Sequence, residues 1–161
     1  MTVAGSPAQI IALFAERGLS LAVAESLTGG LLAAAITDVP GASEVFRGGV
    51  VAYASDLKTA LLGVPADLLA RHGAVDPGVA QAMAQGAREQ LGASVAVATT
   101  GVAGPGPAEG KAPGTVHIAV STAGDCVTRT LALAGGRNEV RRATVEECLS
   151  LLWSTMADQL R

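Results

Sequence analysis

The chain has 161 residues, half of them hydrophobic, and a net charge of −3. That length suits one domain built on one core. No apolar run reaches the roughly 18–20 residues that cross a bilayer, no basic stretch leading into an apolar one marks a secretory signal, and no lysine- or arginine-rich block points to nucleic acid. Cys126 and Cys148 lack CxxC spacing and read as reduced thiols of a cytoplasmic protein. His72 and His117 form no HExxH or Cys/His cluster, so neither a metal nor another cofactor is expected.

The elements follow from turn residues and apolar runs. Ser6 and Pro7 start a helix that runs to about Arg17 and stops at Gly18. Residues 19–25 (LSLAVAE) form a short buried strand. Thr28-Gly29-Gly30 opens a helix through Asp38, ended by Pro40-Gly41. Residues 48–54 (GGVVAYA) are a strand, and SDLKTALL a helix with Ser55 as N-cap and Gly63 past its end. A short helix follows from Pro65 to Arg71, then a long one from Asp76-Pro77 to Leu91. SVAVATTG is a strand feeding a loop rich in glycine and proline. Residues 114–123 and 125–134 pair as a hairpin turning near Ala123-Gly124, and one long helix runs from Arg137 to Leu160. Strands interspersed with helices predict an α/β fold, and the hairpin makes its central sheet mixed: a single three-layer α/β/α domain.

Several stretches carry chemistry. Ser26-Leu27-Thr28-Gly29-Gly30 lies between a strand and a helix, where free N–H groups, hydroxyls and close backbone approach suit a phosphate; the plain alternative is a tightly packed helix cap. Thr99-Thr100-Gly101 ends a strand at the edge where α/β sheets gather ligands, or simply leads into a glycine-rich surface loop. Neither GxGxxG opening a helix nor GxxxxGK[ST] is present. The chain uses nine arginines but only two lysines, Lys58 and Lys111. A desolvated lysine can lose its proton and an arginine cannot, so Lys58, close to Tyr53, is a candidate base for a serine nucleophile; the alternative is a solvated helical lysine beside a core tyrosine. Ser55-x-x-Lys58 matches the SxxK of penicillin-binding enzymes, but their SDN and KTG motifs are missing. Among Arg137, Arg141 and Arg142 a guanidinium could clamp a phosphate, the others lying on a solvated helix face. Glu25, Asp76 and His72 read as ion pair, cap and turn.

AESLTGG, VPGASEVFRGGVVAYASDLK, HGAV, TTGVAGPGP, KAPGTV and GGRNEVRRATVE together, in this order, resemble the C-terminal CinA domain family over nearly the whole chain. The molybdopterin-binding-like domain that precedes it in full-length members is not part of this sequence. The family includes nicotinamide mononucleotide deamidases, so the resemblance implies hydrolysis of that nucleotide to nicotinic acid mononucleotide and ammonia by a serine–lysine pair. Its motifs put the nucleophile on Ser43, with Ser26 as the other candidate, the base on Lys58 and an assisting group on Tyr53. Substrate and oxyanion contacts fall on Ser26, Thr100 and Arg137, and the loops they stand in add Thr28, Gly29, Gly30 and Gly101 as candidate binding positions. The partners implied are a small nucleotide and a second copy of the chain, with neither nucleic acid nor membrane. A non-catalytic nucleotide- or protein-binding module linked to competence is the alternative. A ten-residue helix is about 15 Å long, so Ser26 and Ser43 meet one ligand only if the chain folds back after Pro40 or two subunits share a pocket.

Overall fold

The computed structural model describes residues 5–159; Leu160, the expected end of the last helix, lies outside them. In chain order the elements are α1 (Pro7–Arg17), β1 (Leu21–Glu25), α2 (Leu31–Thr37), a 3₁₀ turn (Ala42–Glu44), β2 (Phe46–Val51), α3 (Ser55–Leu62), α4 (Ala66–His72), α5 (Pro77–Gln90), β3 (Val95–Gly101), β4 (Thr115–Ser121), β5 (Cys126–Ala132) and α6 (Arg137–Gln159). The strands form one mixed sheet in the order β2-β1-β3-β4-β5. β1 runs parallel to both β2 and β3, and the β3-β4-β5 meander is antiparallel. Helices cover both faces, as the interspersed pattern predicts. The first helix has the expected start: Ser6 Oγ accepts the Gln9 N–H at 3.3 Å while the Gln9 side chain accepts the Ser6 N–H at 3.1 Å.

The two sheet faces differ in bulk. Strand side chains alternate in direction, and in β1, β3 and β4 the alternation sorts them by size. Leu21, Val23, Val95, Val97, Val116, Ile118 and Val120 pack with α1, α2 and α6. Ala22, Ala24, Ala96, Ala98 and Ala119 pack with α3 and α5. A face of methyl groups lets a helix come close only if it too is small, and α5 turns Ala80, Ala84, Gly86 and Ala87 inward. At Gly86 α5 meets α3 so closely that a Cβ would overlap the Leu62 carbonyl.

Several local features differ from expectation, β2 among them, which spans Phe46–Val51 and not 48–54. α2 starts at Leu31, because residues 26–30 form a turn and Gly30 takes the N-cap position at φ 106°. α3 is capped by Ala54 without a side-chain bond, so Ser55 is its first residue and not its cap. Among the described residues Glu25 makes no ion pair; its carboxylate accepts the Leu32 and Ala33 N–H groups at 2.8 and 3.1 Å and so satisfies the first turn of α2 from inside the protein.

Two stability outcomes follow. Gly86→Val should lower stability by at least about 2–3 kcal/mol, the cost of overpacking against rigid backbone, whereas Gly124→Ala, open on all sides, should change it little; urea unfolding of both compares them. Glu25→Ala should cost about 1–3 kcal/mol, since it strands two N–H donors, and Glu25→Gln, which keeps one acceptor oxygen, should cost less in the same assay.

Candidate active site

The C-terminal ends of β1, β2 and β3 lie side by side, because all three are parallel. The chain leaves β1 for α2 on the bulky face and leaves β2 for α3 on the alanine face. Connections that part in this way open a crevice at the strand ends. A cavity of about 260 Å³ occupies it, reached by Ser26 and Leu27 after β1, Tyr53, Ser55 and Lys58 after β2, Thr100 and Gly101 at the end of β3, and Arg137 at the start of α6.

Pleating explains how Ser26 gets there. Glu25 points to the bulky face and α2, so the next residue points to the alanine face and α3. Thr99 holds it: the Thr99 carbonyl and hydroxyl both accept the Ser26 N–H at 3.2 Å, and Thr99 Oγ1 lies 2.9 Å from Thr28 Oγ1. Lys58 comes from the second turn of α3 and is 1% exposed. Its Nζ reaches the Ser26 hydroxyl at 3.0 Å, the Ala52 carbonyl at 2.7 Å and the Tyr53 carbonyl at 3.3 Å. Burial lowers the Lys58 pKa, and the Glu109 carboxylate pulls it partly back up. None of these partners is Ser55, so the SxxK spacing is incidental to what Lys58 touches.

The other expected residues divide. Thr100 Oγ1 donates to the Ala74 carbonyl at 2.8 Å in the cavity wall. Gly101 has no room for a side chain, since a Cβ would sit 2.7 Å from the Thr115 carbonyl oxygen. Tyr53 is 60% exposed at the rim, not in the core. Its hydroxyl accepts from Arg137 Nη2 at 3.1 Å while Arg137 Nη1 donates to the Gly104 carbonyl at 2.7 Å. Ser43 is not brought to this cavity. It lines a separate hollow with Thr37, Val39, Gly41, Ala42 and Phe46 beyond the far end of α2, and the chain returns to the cavity only with β2, after Ser43. Thr28, Gly29 and Gly30 do not line the cavity either. At the N-terminus of α2 the Glu25 carboxylate accepts the Leu32 and Ala33 N–H groups.

One wall residue carries no signal in the sequence. Glu109, at φ 52° in the loop after β3, accepts the Ala74 and Val75 N–H groups at 3.2 and 3.1 Å. With Thr100 it holds both sides of Ala74, and it is the carboxylate facing Lys58. It sits among glycines and prolines with no periodicity to give its direction.

Residues 4–156 match the CinA C-terminal domain family. A CinA-like protein of Frankia casuarinae is 49% identical over 148 residues, 92% of this chain and 34% of that protein. One from Anaeromyxobacter dehalogenans is 51% identical over 149 residues, 91% of this chain and 36% of its own. The chain thus spans about a third of the length of the curated relatives it matches. Among solved structures, the competence/damage inducible protein CihA from Agrobacterium tumefaciens superposes with a TM-score of 0.89 at 38% identity, covering 96% of this chain and 98% of that one. A CinA superfamily protein from Klebsiella pneumoniae 700603 gives 0.91 at 31% identity, covering 98% and 99%. Sequence and architecture agree that the chain belongs to the CinA C-terminal domain family.

Proposed function

We propose that this domain is a nicotinamide-nucleotide amidase that hydrolyses nicotinamide mononucleotide to nicotinic acid mononucleotide and ammonia, with Ser26 as nucleophile and Lys58 as base. The observation that carries the reading is the Lys58 amine, out of water and 3.0 Å from the Ser26 hydroxyl. A deprotonated amine has two N–H donors and one lone pair. The Ala52 and Tyr53 carbonyls take the donors, which leaves the lone pair for the Ser26 proton.

Ser26 Oγ attacks the carboxamide carbon as Lys58 Nζ takes its proton. The carbonyl oxygen becomes an oxyanion and needs N–H donors at the cavity wall. Lys58 then gives its proton to the departing amine, ammonia leaves, and an acyl ester remains on Ser26. Water attacks that ester with Lys58 again as base, releasing the carboxylate product and restoring the serine. The Arg137 guanidinium at the rim, steadied by Tyr53 and Gly104, keeps further N–H groups to offer a phosphate. A module that only binds a nucleotide or a protein has no use for a desolvated amine against a serine hydroxyl, and the arrangement favours the enzyme.

Ammonia release from nicotinamide mononucleotide tests the reading directly; a chain that releases none fails it. Ser26→Ala should abolish turnover, Ser43→Ala should leave it within a few-fold of the parent, and Lys58→Arg should lower kcat by at least about 10²–10⁴-fold, since arginine keeps the charge but cannot take a proton. Full activity in Ser26→Ala with loss in Ser43→Ala would reverse the assignment.

The pH profile supplies a second test. Lys58 must be neutral to act, so kcat should rise with pH through its lowered pKa. Glu109 holds that pKa up, so Glu109→Gln, which keeps a hydrogen-bond acceptor and removes the charge, should move the rising limb to lower pH. A limb that stays in place or moves to higher pH removes Glu109 from the electrostatics of Lys58.

A further inference from the structure

Arg141, one helical turn after Arg137 on α6, is half-buried and does not line the cavity. Its guanidinium faces the turn that follows Ser26. Nε donates to the Leu27 carbonyl at 2.9 Å and Nη2 to the Thr28 carbonyl at 3.2 Å. The same turn closes on itself, the Gly29 N–H donating to the Ser26 carbonyl at 3.1 Å. A peptide unit is planar and trans, so its C=O and N–H point in opposite directions. The bond that fixes the Ser26 carbonyl therefore also fixes the Leu27 N–H, facing away from it. Among the described residues no group accepts that N–H, although Leu27 is buried and lines the cavity beside Ser26. An N–H with no protein acceptor in a residue that lines a cavity is left to water or a ligand. Gly29 shows how closely the guanidinium is seated, since a Cβ there would lie 3.3 Å from Arg141 Nη2.

We propose that Arg141 is a positioning residue: it clamps the turn after Ser26 and so aims the Leu27 N–H at the oxyanion formed when Ser26 attacks a carbonyl. This rests on the serine–lysine reading above. The N–H directly after a nucleophile is well placed for such a role because one peptide unit ties donor and nucleophile together. Arginine suits the clamp because its planar fork bridges two carbonyls, which a single ammonium cannot do with the same geometry. Arg141 touches neither Lys58 nor its three partners, so the clamp acts on the oxyanion side and leaves the base alone.

The test compares Arg141→Gln and Arg141→Lys with the parent for ammonia release from nicotinamide mononucleotide and for the rate at which a fluorophosphonate probe labels Ser26. Labelling needs an activated serine and oxyanion donors but no nucleotide. It therefore separates failure of the substrate reading, in which the parent labels at Ser26 yet releases no ammonia, from failure of the clamp. The expected result is a fall in kcat of about 10²-fold for glutamine and about 10-fold for lysine, the range of a misdirected oxyanion donor. KM should stay within about twofold, the pH limb should not move, and labelling should slow in parallel. Arg141→Lys, which keeps the charge and the aliphatic stem, carries the test if the glutamine variant melts below the assay temperature. The proposal is overturned by unchanged kcat and labelling, by a rise in KM at constant kcat, which would make Arg141 a substrate-phosphate ligand, by a shifted pH limb, or by a parent that does not label at Ser26.

Discussion

Water is kept from Lys58 because the helix that bears it packs closely on α5, which itself lies on a sheet face made of alanines. Had Ala22, Ala24, Ala96 and Ala98 been valines or leucines, α3 and α5 would stand further off and the crevice at the strand ends would be wider and wetter. Small side chains on both sides bring backbone to backbone, as Gly86 and the Leu62 carbonyl show. The amine then reaches the sheet edge through protein and not through solvent, and the cost of keeping it charged there turns a surface cation into a group able to accept a proton.

The bulky face performs the complementary task. Glu25 and Ser26 are neighbours in sequence, yet the pleat sends one to each side of the sheet. Glu25 satisfies the first turn of α2 and fixes where the turn after β1 begins. Thr99 and Arg141 hold that turn from β3 and α6. Ser26 is thus placed by elements distant in sequence.

Much of this was legible in the sequence. Apolar runs and turn residues mark all eleven helices and strands of the described residues, and the scarcity of lysine draws attention to Lys58 and Lys111 before any coordinate does. Helix starts are less legible, because a cap can be filled from elsewhere in the fold or left without a side-chain bond. Gly30 caps α2 because Glu25, not a hydroxyl, satisfies its amides, and Ser55 is left out of a cap its position suggests. The resemblance points to Ser43 first and Ser26 second, and it is Ser26 that lies beside Lys58 in the cavity. A spacing of 17 residues does not say whether a helix leads away from a ligand or back to it. Glu109, and the contacts of Arg141 with the turn after Ser26, escape sequence reading for a related reason: each residue makes hydrogen bonds to the backbone of a segment far along the chain, and backbone groups leave no residue-type signature to match.

The unequal faces of the sheet also give the core two opposite modes of failure. On the side of Val23, Val97 and Ile118, truncation opens a void that the large neighbours cannot fill, so loss of methylenes is the harmful change. On the side of Ala24, Ala98 and Ala84 there is almost nothing to truncate, and added atoms are the harmful change. Replacements that shrink a side chain and replacements that enlarge one will therefore be tolerated on different faces, and a library of variants sorted by volume change would trace the sheet's two surfaces from stability alone.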